Sequence, residues 1–123
     1  DVNVKNAEGQ TALDLAASCD VFVEAFRPGV TKRLGLGYEA VKARNPGIVY
    51  VSMSAWGQDG PYVTKPAHDL ATEAITGVLS ITRGADGKPA IPGMAGADMV
   101  SSMMTLSAVL MALLRRKDTG AGD

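Results

Sequence analysis

Three cations lie close together after a stretch of the chain that is predicted to be a strand. Arg27, Lys32 and Arg33 flank a Pro-Gly turn, next to the start of a short predicted helix. The free N–H groups at a helix start attract anions, and nearby cations add to that attraction. The segment therefore predicts a site for a ligand that carries phosphate. The alternative is a solvated basic helix face, and composition alone does not separate the two.

Two further residues that could do chemistry are an aspartate and the one histidine. Asp98 follows a Gly-Met-Ala-Gly-Ala stretch and opens a long apolar helix, and His68 follows Pro66 at another helix start. A helix N-terminus favours an ionised carboxylate, which could act as a nucleophile or a base. The structural alternative is a plain N-cap for Asp98 and a capping or surface role for His68.

Helices and strands alternate along the predicted chain. Hydrophobic periodicity and turn residues predict helices over 9–18, 30–34, 38–44, 68–80 and 98–117, and strands over 20–24 and 48–53. The second strand is apolar almost throughout, as in strands that are buried on both faces. The inward side of helix 68–80 is expected to carry Leu70, Ala71, Ala74, Ile75 and Val78. This order predicts an α/β fold with a mostly parallel sheet, of which two strands are only a part.

The composition is that of a globular protein, with 46% hydrophobic residues, 20% charged residues and a net charge of −1. The absence of a basic excess argues against a nucleic-acid partner. One cysteine, Cys19, cannot form an intrachain disulfide, so we expect a reducing, cytoplasmic location and a buried thiol. With one histidine as well, no zinc cluster is expected.

The most apolar stretch, 99–114, is shorter than the roughly 20 residues that a membrane helix needs. Serines and threonines interrupt it, and Arg115, Arg116 and Lys117 close it as suits a helix C-terminus. We therefore expect a buried helix of a soluble protein and no membrane partner. Because the chain begins with Asp1 and ends just after this helix, we also expect a piece of a longer protein.

Several blocks of the sequence, in order, resemble the family III CoA-transferases of the CaiB/BaiF superfamily. The blocks are Cys19–Gly37, Asn45–Tyr62, His68–Gly77, Gly96–Asp98 and Leu113–Gly120. The resemblance implies a Rossmann-like domain whose strand ends hold coenzyme A, in a homodimer of interlocked ring-shaped subunits. Residues 1–123 would be part of the large domain, truncated at both ends.

The resemblance also implies roles for particular residues. The carboxylate of Asp98 would attack an acyl-CoA thioester to form a mixed anhydride, and CoA would then move to an incoming carboxylic acid. The CoA-contacting positions fall on Ala25, Phe26, Arg27, Val30 and Arg33. Ala25 stands where the family usually has an asparagine. The CoA thioester is the substrate, and neither a metal nor a tightly bound cofactor is expected.

The superfamily also contains α-methylacyl-CoA racemases, which move a proton at the carbon next to the thioester. They use a histidine in a Gly-His-Asp motif and an aspartate, and Ala67-His68-Asp69 and Asp98 match these at the right spacing. An imidazole near neutral pKa suits proton exchange. The Asn-Tyr pair of the racemase block is replaced by Thr72 and Glu73, so transferase is the preferred interpretation and racemase the alternative.

A third interpretation belongs to a different class. Residues 1–17 resemble one ankyrin repeat, an interaction module that needs neighbouring repeats to bury its faces. Nothing similar recurs downstream, and a strand is predicted where the second helix of the repeat should run. We therefore favour an enzyme helix for this segment.

Overall fold

Helices and strands alternate along residues 3–123, which the computed structural model describes. The helices are α1 (Ala12–Ala17), α2 (Val30–Arg33), α3 (Tyr38–Arg44), α4 (Asp69–Ile75), α5 (Val78–Ile81) and α6 (Gly96–Thr119). The strands are β1 (Val21–Glu24) and β2 (Val49–Ser52). The predicted α/β order is thus confirmed, with one predicted helix divided in two.

A small core joins α1, α3 and the start of β2. Ala16, Val41 and Ile48 are buried against one another. The hydroxyl of Thr11 accepts from the backbone N–H of Asp14 and caps α1, while the Asp14 carboxylate accepts from the Thr11 backbone N–H in return. These bonds from Thr11, with Arg44 of α3 at 2.6 Å, hold the pKa of the Asp14 carboxyl below its ordinary value. The capping residues therefore also tie α1 to α3.

The two strands are parallel, with Val21 opposite Val49 and Glu24 opposite Ser52. The chain returns to the free edge of β2 after α6. There Asp123 donates its N–H to the Ile48 carbonyl at 3.1 Å and accepts from the Tyr50 N–H at 2.8 Å. This is the hydrogen-bond pattern of a parallel ladder, so β2 is paired along both edges over part of its length.

Two predictions about burial in the middle of the chain are wrong. β2 is not buried on both faces, since Val49 is buried but the rest of the strand is half-buried. Helix 68–80 is divided at Gly77, whose φ of +89° lies in the left-handed region. The residues predicted to face inward, Leu70, Ala71, Ala74, Ile75 and Val78, are exposed. The buried residue of α4 is Glu73, because the surface that α4 covers is the polar start of α6.

α6 is attached at its two ends. Its start contacts α4, and near its end Arg116 donates to the Gly47 carbonyl at 2.9 Å and pairs with Asp20 at 2.8 Å. No residue of α6 is buried, so the predicted buried helix is wrong for the described part of the chain. By length and composition α6 could cross a membrane, since its most apolar window has a mean hydropathy of 1.7. The core helices of soluble proteins can be equally long and apolar. The thiol of Cys19 is exposed, not buried as predicted.

Candidate functional site

The candidate site begins where the two parallel strands end. β1 ends at Glu24 and β2 at its partner Ser52, so the segments 25–28 and 53–55 leave the sheet side by side. In parallel α/β sheets ligands bind at this edge, because the loops that follow the strands diverge there. Gly29, with a φ of +84°, then turns the chain into α2.

A buried carboxylate holds the two strand ends in place. Glu24 is 7% exposed, and its Oε2 accepts from the backbone N–H of Phe26 at 2.8 Å. Its Oε1 accepts from the Ser52 hydroxyl, whose oxygen in turn accepts from Gln58 Nε2 at 2.8 Å. The predicted site residues did not include Glu24. Its position as a charged residue at the end of the predicted strand, directly after Val21-Phe22-Val23, was the available signal.

Beyond the strand ends lies a cavity of about 310 Å³ that contains both predicted catalytic residues. It is lined by Ala25, Met53, Ser54, Ala55, Ala67, His68, Thr72, Ala97, Asp98 and Ser101. His68 reaches it from the start of α4 and Asp98 from the first turn of α6. Residues 30 positions apart are therefore brought to one cavity, as the racemase and transferase resemblances both require.

Neither side chain makes a capping hydrogen bond, whereas the surface alternative for His68 stays open because His68 is exposed. The N-cap of α6 is Ala95, and Asp98 is the third residue of the helix. His68 does occupy the N-cap position of α4, but its side chain makes no capping hydrogen bond. Among residues 3–123 no donor reaches the Asp98 carboxylate, whereas its backbone N–H donates to Asp69 Oδ1 at 2.9 Å. The carboxylate is thus free to meet a ligand.

A smaller cavity of about 90 Å³ adjoins the first at the cationic turn. Phe26, Arg27, Trp56 and Lys65 contribute to its lining. It shares five lining residues with the larger cavity, namely Ala25, Met53, Ser54, Ala55 and Ala67. A single cleft therefore connects Arg27 with Asp98.

The predicted cofactor-binding residues are divided by the fold. Ala25, Phe26 and Arg27 line the cleft, whereas Val30 and Arg33 lie on α2 outside both cavities. Their contacts with CoA remain predictions, and for the exposed Arg33 the solvated helix face stays open as the alternative.

Two residues that the prediction missed stand on the loop after β2. Lys65 lies over the Tyr62 ring at 3.9 Å from its centroid and brings a second cation to the smaller cavity. Trp56 packs edge-on against Tyr62, and its buried Nε1 meets no acceptor among the described residues. Over the same residues, no group of three or more acidic, histidine or cysteine side chains is placed to hold a metal ion.

Solved structures with the same fold match all or nearly all of this chain. A crystal structure of Rv3272 from Mycobacterium tuberculosis is 37% identical, with a TM-score of 0.86 over 100% of this chain and 35% of its own. A CAIB/BAIF family protein from Brucella suis is 33% identical, with a TM-score of 0.85 over 96% of this chain and 32% of its own.

Curated relatives carry transferase names. An acyl-CoA transferase of Fusarium pseudograminearum is 42% identical over 99% of this chain and 27% of its own length. The succinyl-CoA:glutarate CoA-transferase of Mus musculus is 38% identical over 98% of this chain and 28% of its own length. The chain thus spans less than a third of the length of these relatives.

The model of the family described as CoA-transferase family III matches residues 1–123. The match includes the segment that resembles an ankyrin repeat, of which residues 1 and 2 lie outside the described residues. In the fold, this segment supplies one helix, α1, followed directly by β1, so the ankyrin alternative finds no support. The chain belongs to CoA-transferase family III.

Proposed function

We propose that the full protein is a CoA-transferase that moves coenzyme A between an acyl-CoA thioester and a carboxylic acid, with Asp98 as the reactive carboxylate. The observation that carries the proposal is the free carboxylate of Asp98 in a cleft that continues to the cationic turn at Arg27. A CoA thioester needs a nucleophile beside its acyl carbon and cations beside the phosphates of its CoA part, at the other end of the site. Relatives named acetyl-CoA:oxalate and formyl-CoA:oxalate CoA-transferase support this class of reaction.

The chemistry assigned to Asp98 needs no redox partner. Its carboxylate oxygen forms a bond to the acyl carbon, the C–S bond breaks, and CoA leaves as the thiolate. The thiolate then attacks the Asp98 carbonyl of the anhydride, which releases the first acid and leaves CoA on the enzyme as a thioester. An incoming carboxylate reverses both steps and departs as the new acyl-CoA.

The remaining features of the proposal rest on the family resemblance. The described residues would be part of a Rossmann-like large domain, truncated at both ends, in a homodimer of interlocked ring-shaped subunits. We propose a cytoplasmic enzyme without a membrane or nucleic-acid partner and without a tightly bound cofactor. Arg27 and Lys65 would bind phosphates of the nucleotide, and Phe26 and Ala25 would contact its apolar parts.

A second candidate is an acyl-CoA racemase, and one observation favours it. His68 and Asp98 line the same cavity, so two groups that exchange protons could face one α-carbon. In a transferase, His68 would only shape the pocket.

One experiment separates the two candidates. The full-length enzyme is incubated with an acyl-CoA in deuterated water, with and without an acceptor acid. CoA exchange that depends on the acceptor indicates a transferase, and deuterium uptake at the α-carbon without an acceptor indicates a racemase. The absence of both reactions would contradict the proposed class.

Two variants assign the roles within the site. Asp98→Ala should abolish turnover and leave the fold nearly intact, because its side chain caps nothing in the described chain. His68→Phe should cost a transferase about tenfold or less, roughly 1.4 kcal/mol, but a racemase on the order of 10²–10⁴ in rate. Near-normal turnover in Asp98→Ala would refute the mechanism, and collapse of α-proton exchange in His68→Phe would make the enzyme a racemase.

A further inference from the structure

Glu73 is a buried carboxylate that the proposed reaction does not use. It lies on α4 and is 4% exposed. Its Oε1 accepts from the backbone N–H of Gly96 at 3.0 Å, and its Oε2 has no hydrogen-bond partner among residues 3–123. An unpaired buried oxygen costs free energy, because it has lost its hydrogen bonds to water without replacement. A residue that only stabilised α4 would be better served by an apolar side chain, so the contact with Gly96 calls for another explanation.

The contact belongs to a pair that caps α6 from outside. Asp69 and Glu73, one turn apart on α4, accept from the N–H groups of Asp98 and Gly96. The first N–H groups of a helix have no partner within the helix, and carboxylates are favourable there. α4 therefore supplies the capping groups that α6 lacks, since the N-cap of α6 is Ala95.

The start of α1 shows what this capping prevents. Asp14 is the third residue of α1, as Asp98 is of α6. The Asp14 carboxylate turns back and accepts from the N–H and hydroxyl of Thr11, so it is occupied by its own helix. At α6 the N–H of Asp98, which corresponds to that of Asp14, donates to Asp69 of α4 instead of to an N-cap side chain, and the N–H of Gly96 donates to Glu73. Among residues 3–123 the Asp98 carboxylate accepts no hydrogen bond from its own helix and stays free at the cavity.

We propose that Glu73 is a positioning residue, which with Asp69 fixes the first turn of α6 so that the Asp98 carboxylate remains unbonded and in place. The inference rests on the proposed role of Asp98. Gly96 contributes to this arrangement, because a Cβ at position 96 would lie 2.6 Å from Glu73 Oε1, closer than Cβ atoms approach other heavy atoms in real structures. A side chain at position 96 would therefore force the Glu73 carboxylate to shift away from its place at this N–H.

The test uses the full-length enzyme and measures kcat, KM for acyl-CoA and the unfolding midpoint for each variant. Glu73→Ala should lower kcat on the order of 10²-fold with KM nearly unchanged, since a displacement of about 1 Å of a reacting group costs that much. Glu73→Gln keeps an acceptor for Gly96 and should restore kcat to within about threefold of the native enzyme. A role in stability alone would move the unfolding midpoint and leave kcat at a temperature where the protein is folded.

Glycine variants provide a matched pair that does not alter Glu73. Gly96→Ala should lower kcat like Glu73→Ala, and the double variant should be no worse than Glu73→Ala alone, because both changes break one contact. Gly93→Ala is the control, since a Cβ at Gly93 meets nothing within 4 Å. This pair keeps the test decisive if Glu73→Ala does not fold.

The outcomes separate this inference from the proposed function. Suppose that Asp98→Ala is inactive. A native kcat in Glu73→Ala would then overturn the positioning role and leave the transferase mechanism standing, and so would equal kcat values in Gly96→Ala and Gly93→Ala. An active Asp98→Ala would overturn both. Loss of kcat in Glu73→Ala and Gly96→Ala, with rescue by Glu73→Gln, supports the inference.

Discussion

The buried carboxylate of Glu24 makes a quantitative prediction about the affinity for coenzyme A. Glu24 is the acceptor for the N–H of Phe26, at the turn that would hold the nucleotide. A hydrogen bond to a charged group contributes about 1.5–3 kcal/mol. If that free energy is what orders the turn, its loss in Glu24→Ala should raise the Kd for CoA about 10- to 100-fold.

The change to glutamine is expected to be milder. The amide oxygen of Glu24→Gln can still accept from Phe26, and its NH₂ group can donate to the oxygen of Ser52. The turn then keeps its main restraint, so the Kd should rise by less than about tenfold. The two variants therefore test the Phe26 contact itself.

The measurement is calorimetric titration of CoA into the full-length protein, with urea unfolding of each variant in parallel. Glu8→Ala is the control, because Glu8 is an exposed acid at a distance in sequence from both cavities and its side chain makes no hydrogen bond or ion pair among residues 3–123. A folded Glu24→Ala protein that binds CoA with native affinity would refute the argument that this carboxylate orders the turn.

Three other predictions concern stability and association. Gly122→Ala should lower the free energy of unfolding by about 3 kcal/mol relative to Gly93→Ala, as measured in urea titrations. A Cβ at position 122 would overlap the Ile48 carbonyl and break three backbone hydrogen bonds beside β2, each of which contributes about 1 kcal/mol. Equal stabilities would contradict this. Asp14→Asn should destabilise the protein at neutral pH. The difference in the free energy of unfolding between native and variant should shrink as the pH falls below the ordinary aspartate pKa of 3.8 and through the lowered pKa of Asp14, where the native carboxylate also loses its charge. A difference that persisted in acid would refute the electrostatic cause. The 123-residue chain alone should be inactive and should associate, and a sharply melting monomer in sedimentation and thermal scans would contradict that expectation.

The elements near the cationic turn at Arg27 could be predicted from sequence because local signals agree there. The apolar alternation before Phe26, the Pro-Gly pair and the glycines after α2 all indicate the same boundaries. Helix α3 was predicted with its observed bounds, since Gly37 and Asn45-Pro46 flank it. The convergence of His68 and Asp98 came from the family resemblance, because no local pattern relates residues so far apart.

The inward face of α4 was predicted wrongly for a physical reason. Hydrophobic periodicity assumes that a helix packs against an apolar surface. α4 instead packs its acids against unpaired N–H groups of α6, so Glu73 is buried while Leu70 and Ile75 are exposed. The sequence did contain a signal, namely two acids at i and i+4 on one helix and a glycine at the start of another. That signal has meaning only once the two helices are known to meet.

The exposure of α6 has a different origin. Its middle carries a broad set of apolar side chains, including Met103, Leu106 and Leu114, each at least 60% exposed. Its ends are polar and fixed, by α4 at the start and by Arg116 at the finish. The middle of α6 is thus uncovered between two fixed ends, and this chain spans less than a third of the length of the curated relatives named above. The apolar pattern of α6 is typical of a helix that packs against an apolar surface, and the described residues do not provide that surface. The cleft between Arg27 and Asp98, by contrast, is formed by residues that lie within the described chain.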